Sequence, residues 1–389
     1  MLKCRTVGLS ADEKARRMQL GDLLEQVDER NTDGSVTNLL GVAIDKHFMP
    51  SVANVIGTDL SKYKLVAKDR FACNPMHVGR DEKMPIARYD GVGDAIVSPA
   101  YFTFEASSKA VLPRYLELWF NRAEFDRRCW FATDASVRGG LSWDALCDIP
   151  IQLPSLPEQQ AAVDRFDAID RRISQLKLLN DKLADSIAAL ILNAQTDKQQ
   201  TIDLGELCTL CSSKRIFASE YQVAGVPFFR GSEITALSKG QPLSGVLHIS
   251  RSRFEEIRSR FGAPKRNDIL LTAVGTIGNS YLVQDEEFYF KDGNVIWLKD
   301  VMPTCVFYLY GYMQTRLFAD DLVGITIGST QSALTIDALG GLQIPVPSEE
   351  RLAEVNNACK SVLSLVSLGH AEIRALTTAR RTMLSELGR

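Results

Sequence analysis

The chain repeats itself, so any fold proposed for it has to be built twice. Residues 136–155 (SVRGGLSWDALCDIPIQLPS) align without a gap on residues 329–348 (STQSALTIDALGGLQIPVPS), at an offset of 193. Ser136, Leu141, Asp144, Ala145, Leu146, Ile151, Pro154 and Ser155 recur as Ser329, Leu334, Asp337, Ala338, Leu339, Ile344, Pro347 and Ser348. Further upstream, Leu20–Leu23 echoes Leu204–Leu207 at an offset of 184, and Asp69 and Gly79 match Asp268 and Gly278 at 199. The drifting offset means that insertions differ inside two copies whose ends are fixed. In a chain of 389 residues this reads as one fold used twice, since single cores stop growing near ~250 residues.

Each copy follows the same plan. Short apolar, β-branched runs such as Ala95–Val97, Tyr101–Phe104, Asp268–Thr272, Tyr281–Val283 and Val295–Leu298 lie between Gly, Pro, Asn and Asp turns, as strands do. A helix-like stretch over Pro113–Phe125 recurs near Pro303–Phe318, and after the shared Pro-Ser each copy changes to a long helical pattern. In the first of these, Phe166, Ile173, Asn180 and Ile187 fall on heptad position a, with Ile169, Leu176, Leu183 and Leu190 on d. In the second, Cys359, Val366, Ile373 and Arg380 fall on a, with Val362, Gly369, Leu376 and Met383 on d, and the two frames superpose at the offset of 193. Short junctions put the start of the second helix beside the end of the first, so the two should pair antiparallel. The other reading is two separately packed amphipathic helices. Asn180 on an apolar seam would set register at a cost in stability, unless the helix is phased one residue differently and Asn180 is at the surface.

The expected fold class is therefore α+β. Two repeated mixed α/β domains, residues 1–156 and 199–347, are joined by helical spacers at 157–198 and 348–389 that form an antiparallel coiled coil. Some 39 residues at 1.5 Å each make such a helix ~58 Å long.

Composition narrows the function. The net charge of −3 argues against a protein that coats nucleic acid non-specifically. Local basic stretches remain: Cys211–Arg266 has ten Lys or Arg against four acidic residues, and Leu60–Asp90 has seven against four. With no apolar run of ~20 residues and no apolar core behind Met1–Arg5, neither a membrane span nor a secretory signal is expected. A cytoplasmic protein is the expectation. The eight cysteines form no regular framework. The pair Cys208 and Cys211 has the spacing of half a zinc site, but the other copy has Leu24 and Val27 there, so core packing is the preferred reading.

Catalytic motifs are nearly missing. Asn74–His77 approaches the Asn-Pro-Pro-aromatic signature of amino-methyltransferases but lacks its second proline and the aromatic that stacks on a flipped base. Gly91 and Gly93 make no cofactor loop, and Gly275–Gly278 is not followed by Lys-Ser/Thr, so a turn between strands suits it better. His47, His77, His248 and His370 lie far apart. What remains suits binding. The candidate DNA contacts are Lys46, His47, Lys62, Tyr63, Lys64 and Arg80 in the first copy, and Lys214, Arg215, Arg230, Ser232, Thr276 and Asn279 in the second. A solvated surface position is the other reading of each.

The runs Val27–Asn31, Gly41–Ile44, Asp59–Lys64, Phe71–Pro75, Val97–Tyr101 and Tyr115–Trp119 resemble the target-recognition domains of Type I restriction-modification specificity subunits. So do Ile151–Gln160 leading into a helix and, in the second copy, Lys214–Ile216, Gly225–Arg230 and Gly275–Gly278. The resemblance spans nearly the whole chain, with one departure: Pro347–Arg351 replaces the Leu-Pro-Glu-Gln-Gln form. It implies a non-catalytic subunit whose two domains each read half of a bipartite double-stranded DNA site, with the helices as a ruler across the spacer. It also implies two methyltransferase subunits using S-adenosylmethionine and restriction subunits (translocase-nucleases) using ATP and Mg, these cofactors being on the partners and none in this chain. The rival readings are a single-chain methyltransferase or nuclease, and a coiled-coil adaptor that does not bind DNA.

Overall fold

A computed structural model describes residues 16–51, 57–76, 78–134, 139–195, 200–326 and 333–388. The start of the chain, His77 and the repeat anchors Ser136 and Ser329 lie outside the described residues. The molecule divides into two compact units, residues 1–171 with 378–389, and residues 172–377. Each takes one domain with the adjoining stretches of both long helices.

In the first unit the strand Arg16–Gln19 pairs antiparallel with Pro150–Leu153, Met18 opposite Ile151. This pairing ties the beginning of the domain to the residues just before the first long helix. Inside it, a four-stranded antiparallel sheet runs in the order Leu24–Gln26, Phe102–Ala106, Phe71–Cys73, Ile86–Arg88. Phe71, Phe104, Phe120 and Phe125 pack on its inner face with Trp119. Two smaller pairs, Leu40–Val42 with Phe48–Pro50 and Lys64–Val66 with Ala95–Val97, enclose a separate cluster around Val66, Ala87 and Tyr89.

The second unit repeats this frame. Gln200–Asp203 pairs with Gln343–Val346, Ile202 opposite Ile344, the same register as in the first copy. Its four-stranded sheet has the matching order Thr209–Cys211, Val295–Lys299, Ile269–Thr272, Ser280–Leu282. Even the caps repeat. The Ser142 hydroxyl accepts from the Ala145 N–H at 3.1 Å to start the helix Trp143–Cys147, and the Thr335 hydroxyl accepts from Ala338 at 3.2 Å to start Ile336–Gly340. The copies differ between these anchors: the second alone inserts the helices Gly231–Ser238 and Arg251–Phe261 and a three-stranded sheet in which Val226–Phe229 is flanked by Leu247–Ile249 and Tyr289–Phe290.

One expectation is corrected in detail. The stretch expected as a helix over Pro113–Phe125 is two helices, Pro113–Phe120 and Ala123–Phe131, broken at Asn121, and its counterpart is Val306–Tyr312 followed by Arg316–Ile325.

The long helices are Leu156–Ala194 and Glu349–Glu386. Within the first unit Arg380 binds Asp170 at 2.7 Å and covers the Phe166 ring at 5.6 Å, while Arg114 of the domain reaches Asp167 and Asp170. Within the second unit Arg172 binds Glu372 through two nitrogens at 2.7 and 2.9 Å, and Asn180 lies against Gly369. Ile187, Ile191, Val355 and Cys359 join that domain's core. In the second unit the order of partners is antiparallel, Arg172 with Glu372 and then Asn180 with Gly369. Phe166, Leu176, Asn180, Ile187 and Ile373 are buried; Ile169, Ile173, Leu183, Leu190, Val362, Val366, Leu376 and Met383 are half-buried. The two misfits of the second seam have partners of their own: Gly369 leaves room for the Asn180 carboxamide, and Arg380 is neutralised by Asp170.

Each helix is also fastened to its domain. Gln159, fully buried, accepts from the Leu112 N–H at 2.9 Å and donates to the Ala110 and Pro154 carbonyls at 2.8 and 2.9 Å. The second helix has no glutamine at the aligned position, Leu352, and uses Asn356 instead, whose carbonyl accepts from the Phe307 and Tyr308 N–H groups. Gln159→Ala leaves buried backbone groups unpaired, so the expected loss is about 2–4 kcal/mol in the calorimetric unfolding of the first unit.

Candidate nucleic-acid interface

The basic stretch of the first domain turns largely inward. Lys46, at φ 67°, is buried, with its ammonium 2.7 Å from Asp126, donating to the Phe120 carbonyl and lying 5.0 Å over the Phe125 ring. Burial pulls its pKa below the ordinary lysine range, and Asp126 opposes that. Lys64 is buried as well, held by the Tyr101 carbonyl at 2.9 Å and Asp28 at 3.2 Å. Arg70 bridges Glu29 and Glu105, and Arg88 bridges Asp69 and Glu117. Lys46 and Lys64 are therefore corrected as DNA contacts: each ammonium is enclosed and already neutralised. His47 and Lys62 remain exposed, beside Asp45 and Asp59 respectively; Arg80 is exposed with its guanidinium on Asp81, and Tyr63 is half-buried.

In the second domain four candidates come together. Arg230 caps the helix Gly231–Ser238, and its N–H and two guanidinium nitrogens meet the buried Glu233 carboxylate at 2.6 to 3.1 Å. The Ser232 hydroxyl donates to the same carboxylate at 3.1 Å. From the same helix, the Thr235 hydroxyl takes the Asn279 amide at 3.3 Å, and that amide also donates to the Thr276 carbonyl at 3.1 Å. The turn Gly275–Gly278 is thus stitched to the helix that carries Arg230, its glycines at φ 78° and 91° giving the sharp reversal between antiparallel strands. Thr276 and Ser232 are exposed, and Arg230 is 40% exposed in its side chain.

Lys214 and Arg215 form a second group. The Lys214 N–H donates to the Tyr289 hydroxyl at 2.8 Å and its ammonium sits 4.4 Å over Phe261. Arg215, 68% exposed, reaches Asp292 at 2.9 Å. The neighbouring Lys291 N–H donates to the Phe229 carbonyl, which places this segment beside Arg230. Other basic residues of the stretch are paired: Arg251 and Arg258 with Glu255 and Glu287, Arg253 with Glu220 and Glu256, Arg266 with Asp285, and Lys265 with Asp300. The local excess counted up to Arg266 is largely cancelled by acidic residues from 285 to 300 that fold back onto it.

Cys208 is buried and Cys211 half-buried in the domain's packing; burial pushes the Cys208 thiol up to about 12. Among the described residues no group of His, Cys, Asp and Glu is placed to hold a metal ion, and no helix is long and apolar enough to cross a membrane.

Residues 196–353 match the family model of the Type I restriction modification DNA specificity domain. The chain is 26% identical over 249 residues to a type I restriction enzyme specificity subunit of Haemophilus influenzae, a match covering 60% of this chain and 61% of that relative. The chain therefore spans about three fifths of the length of the curated relative it matches. Its fold is shared with the crystal structure of a Type I restriction-modification system S subunit from M. genitalium, at 15% identity and a TM-score of 0.59 over 98% of both chains. The second domain of this chain is thus similar to the DNA specificity domain of Type I restriction-modification systems.

The Glu233 network carries a pH dependence of known direction. Burial works to raise this carboxyl, but the Arg230 and Ser232 donors outweigh it and hold the pKa below the usual range. Its contribution to stability is complete above the free-glutamate value of ~4.3 and is lost as the pH falls through the lower folded value. An acid titration of unfolding midpoints should show this component in the native protein and lack it in Glu233→Gln.

Proposed function

We propose that the chain is a DNA-reading subunit whose two domains each recognise one half of a bipartite double-stranded site. The observation that carries this is the duplicated frame: the second copy matches the model of a DNA specificity domain, and the first has the same closing strand pair and sheet order. Differences between copies are concentrated between the anchors, where a reader would vary. In this reading the chain is non-catalytic and cytoplasmic. Two methyltransferase subunits bring S-adenosylmethionine, and restriction subunits bring ATP and Mg.

Arg230 is the favoured base reader, because the buried Glu233 fixes its planar fork in one orientation before DNA arrives. Lys214 and Arg215, with exposed side chains held by no buried group, suit phosphates. His47, Lys62, Tyr63 and Arg80 are the corresponding candidates of the first domain, and Ser232, Thr276 and Asn279 complete the second. Changing Lys214 and Arg215 together to Ala should make log K against log salt shallower by roughly 0.9 for each phosphate that is no longer neutralised, with base preference intact. Arg230→Ala should instead lower discrimination at one base pair by ~1–3 kcal/mol. Fluorescence anisotropy with duplexes of defined sequence, in the presence of the methyltransferase subunit, measures both.

The decisive experiment exchanges residues 203–347 for the matching domain of a related subunit and maps methylation in cells supplying the methyltransferase. One half-site should change while the other half and the spacing persist. If both halves changed together, the two-reader proposal would be wrong.

A further inference from the structure

One aromatic side chain of the second domain is held out in solvent by a backbone that is fixed on both sides of it. Phe217, 61% exposed, lies in the segment between the strands Thr209–Cys211 and Val226–Phe229. Its neighbour Ile216 is buried with Phe254 and Tyr289, which anchors the chain just before the ring. Just after it, the Phe217 N–H donates to the Glu220 carboxylate at 2.7 Å and the Phe217 carbonyl accepts from the Glu220 N–H at 2.9 Å. Arg253 pairs with the same carboxylate at 2.8 Å. These bonds settle where the backbone presents the side chain. A single exposed hydrophobic residue is ordinary, but the surroundings of this one are not. Lys214 and Arg215 precede it, both exposed, and the exposed ring of Phe261 lies under the Lys214 ammonium. Beyond the short helix Ala218–Glu220, Tyr221 packs on Phe228 with ring centres 5.5 Å apart. Arg230 follows Phe228 by two residues of extended backbone, so the two side chains leave the same face. The segment of Phe217 is therefore seated on the side that carries Arg230.

We infer that Phe217 reads a thymine by packing on its 5-methyl group, beside the base read by Arg230, in the half-site of the second domain. The inference rests on the DNA-reading assignment and sharpens it. An arginine fork reaches guanine O6 and N7 in the major groove, and the apolar feature that a base pair presents in that groove is the thymine methyl. Apolar wedges that unstack a base step enter from the minor groove instead. A phenylalanine on the face of Arg230 thus meets the methyl group, and the exposed cations before it meet the phosphates alongside.

The test removes that methyl group alone. A duplex selected from a random-sequence pool by the full chain together with the methyltransferase subunit is remade with uracil in place of each thymine in turn, and binding is followed by fluorescence anisotropy. For the native chain one such uracil should weaken binding about threefold to tenfold. Phe217→Ala should bind that thymine duplex and its uracil counterpart alike, while Phe217→Leu, which keeps an apolar surface, should recover part of the preference. Val223→Ala, at a second exposed apolar residue of the same segment, should leave the preference as it is. The inference is overturned if no exchange of thymine for uracil changes binding, if Phe217→Ala weakens both duplexes by one common factor as loss of a wedge would, or if Val223→Ala abolishes the preference and Phe217→Ala does not. A native complex that selects no sequence overturns the DNA-reading assignment and this inference with it. One that selects a sequence but ignores the methyl group overturns the inference alone.

Discussion

Four residues of backbone pairing, made twice, set the organisation of this chain. Arg16–Gln19 lies on Pro150–Leu153, and Gln200–Asp203 lies on Gln343–Val346, in one register. Each pair draws the entry and exit of a domain together, so everything between them can vary while the exit into the long helix stays in place. Because side chains alternate along a strand, a slip of one residue would turn Ile151 or Ile344 from core to solvent. The hydrophobic effect thereby fixes the register, and the register fixes where each helix starts. The repeated Ser142 and Thr335 caps act on the same segment, starting the short helix that leads into the closing strand.

The two domains use their cations differently. In the first, Lys46, Lys64, Arg70 and Arg88 hold distant segments together, each beside a carboxylate that offsets the cost of burial. In the second, helix Arg251–Phe261 carries an outward lattice of arginines and glutamates. Most of these pairs are solvent-exposed and individually weak, so competition from phosphate could open them at small cost. Glu233 is the exception, because it is buried and cannot follow its arginine into solvent.

The duplication was legible because it leaves identical residues at one offset within each anchor, and it carried the domain boundaries and the two long helices with it, while the strand order and the closing pairs appear only in the structure. Asn180, Gly369 and Arg380 were legible as positions but not as partners: periodicity puts residues on a face without saying which residue of the facing helix each one meets. The charged candidates were the least legible. Lys46 has a loop residue's sequence context, and nothing near it announces that Asp126 will enclose it. The basic count ending at Arg266 looked like a patch because its counter-ions, Asp285, Glu287, Asp292 and Asp300, come later in the chain. Gln159 sat inside a recognised motif, but its three hydrogen bonds appear only when the loop Ala110–Leu112 is brought against the helix start.

That glutamine has a consequence for how the chain can change over time. By locking the first turn of a 39-residue helix to its domain, it sets the angular phase of the residues that follow within the first unit. One residue inserted just beyond it would rotate the downstream face by 100°, turning Phe166 out of the core and Asp170 away from Arg380. Seven residues would return nearly the same face, with a drift of only ~20°. The domain is free to diverge residue by residue between its anchors, but this first stretch of helix can gain or lose length only in steps close to a whole heptad.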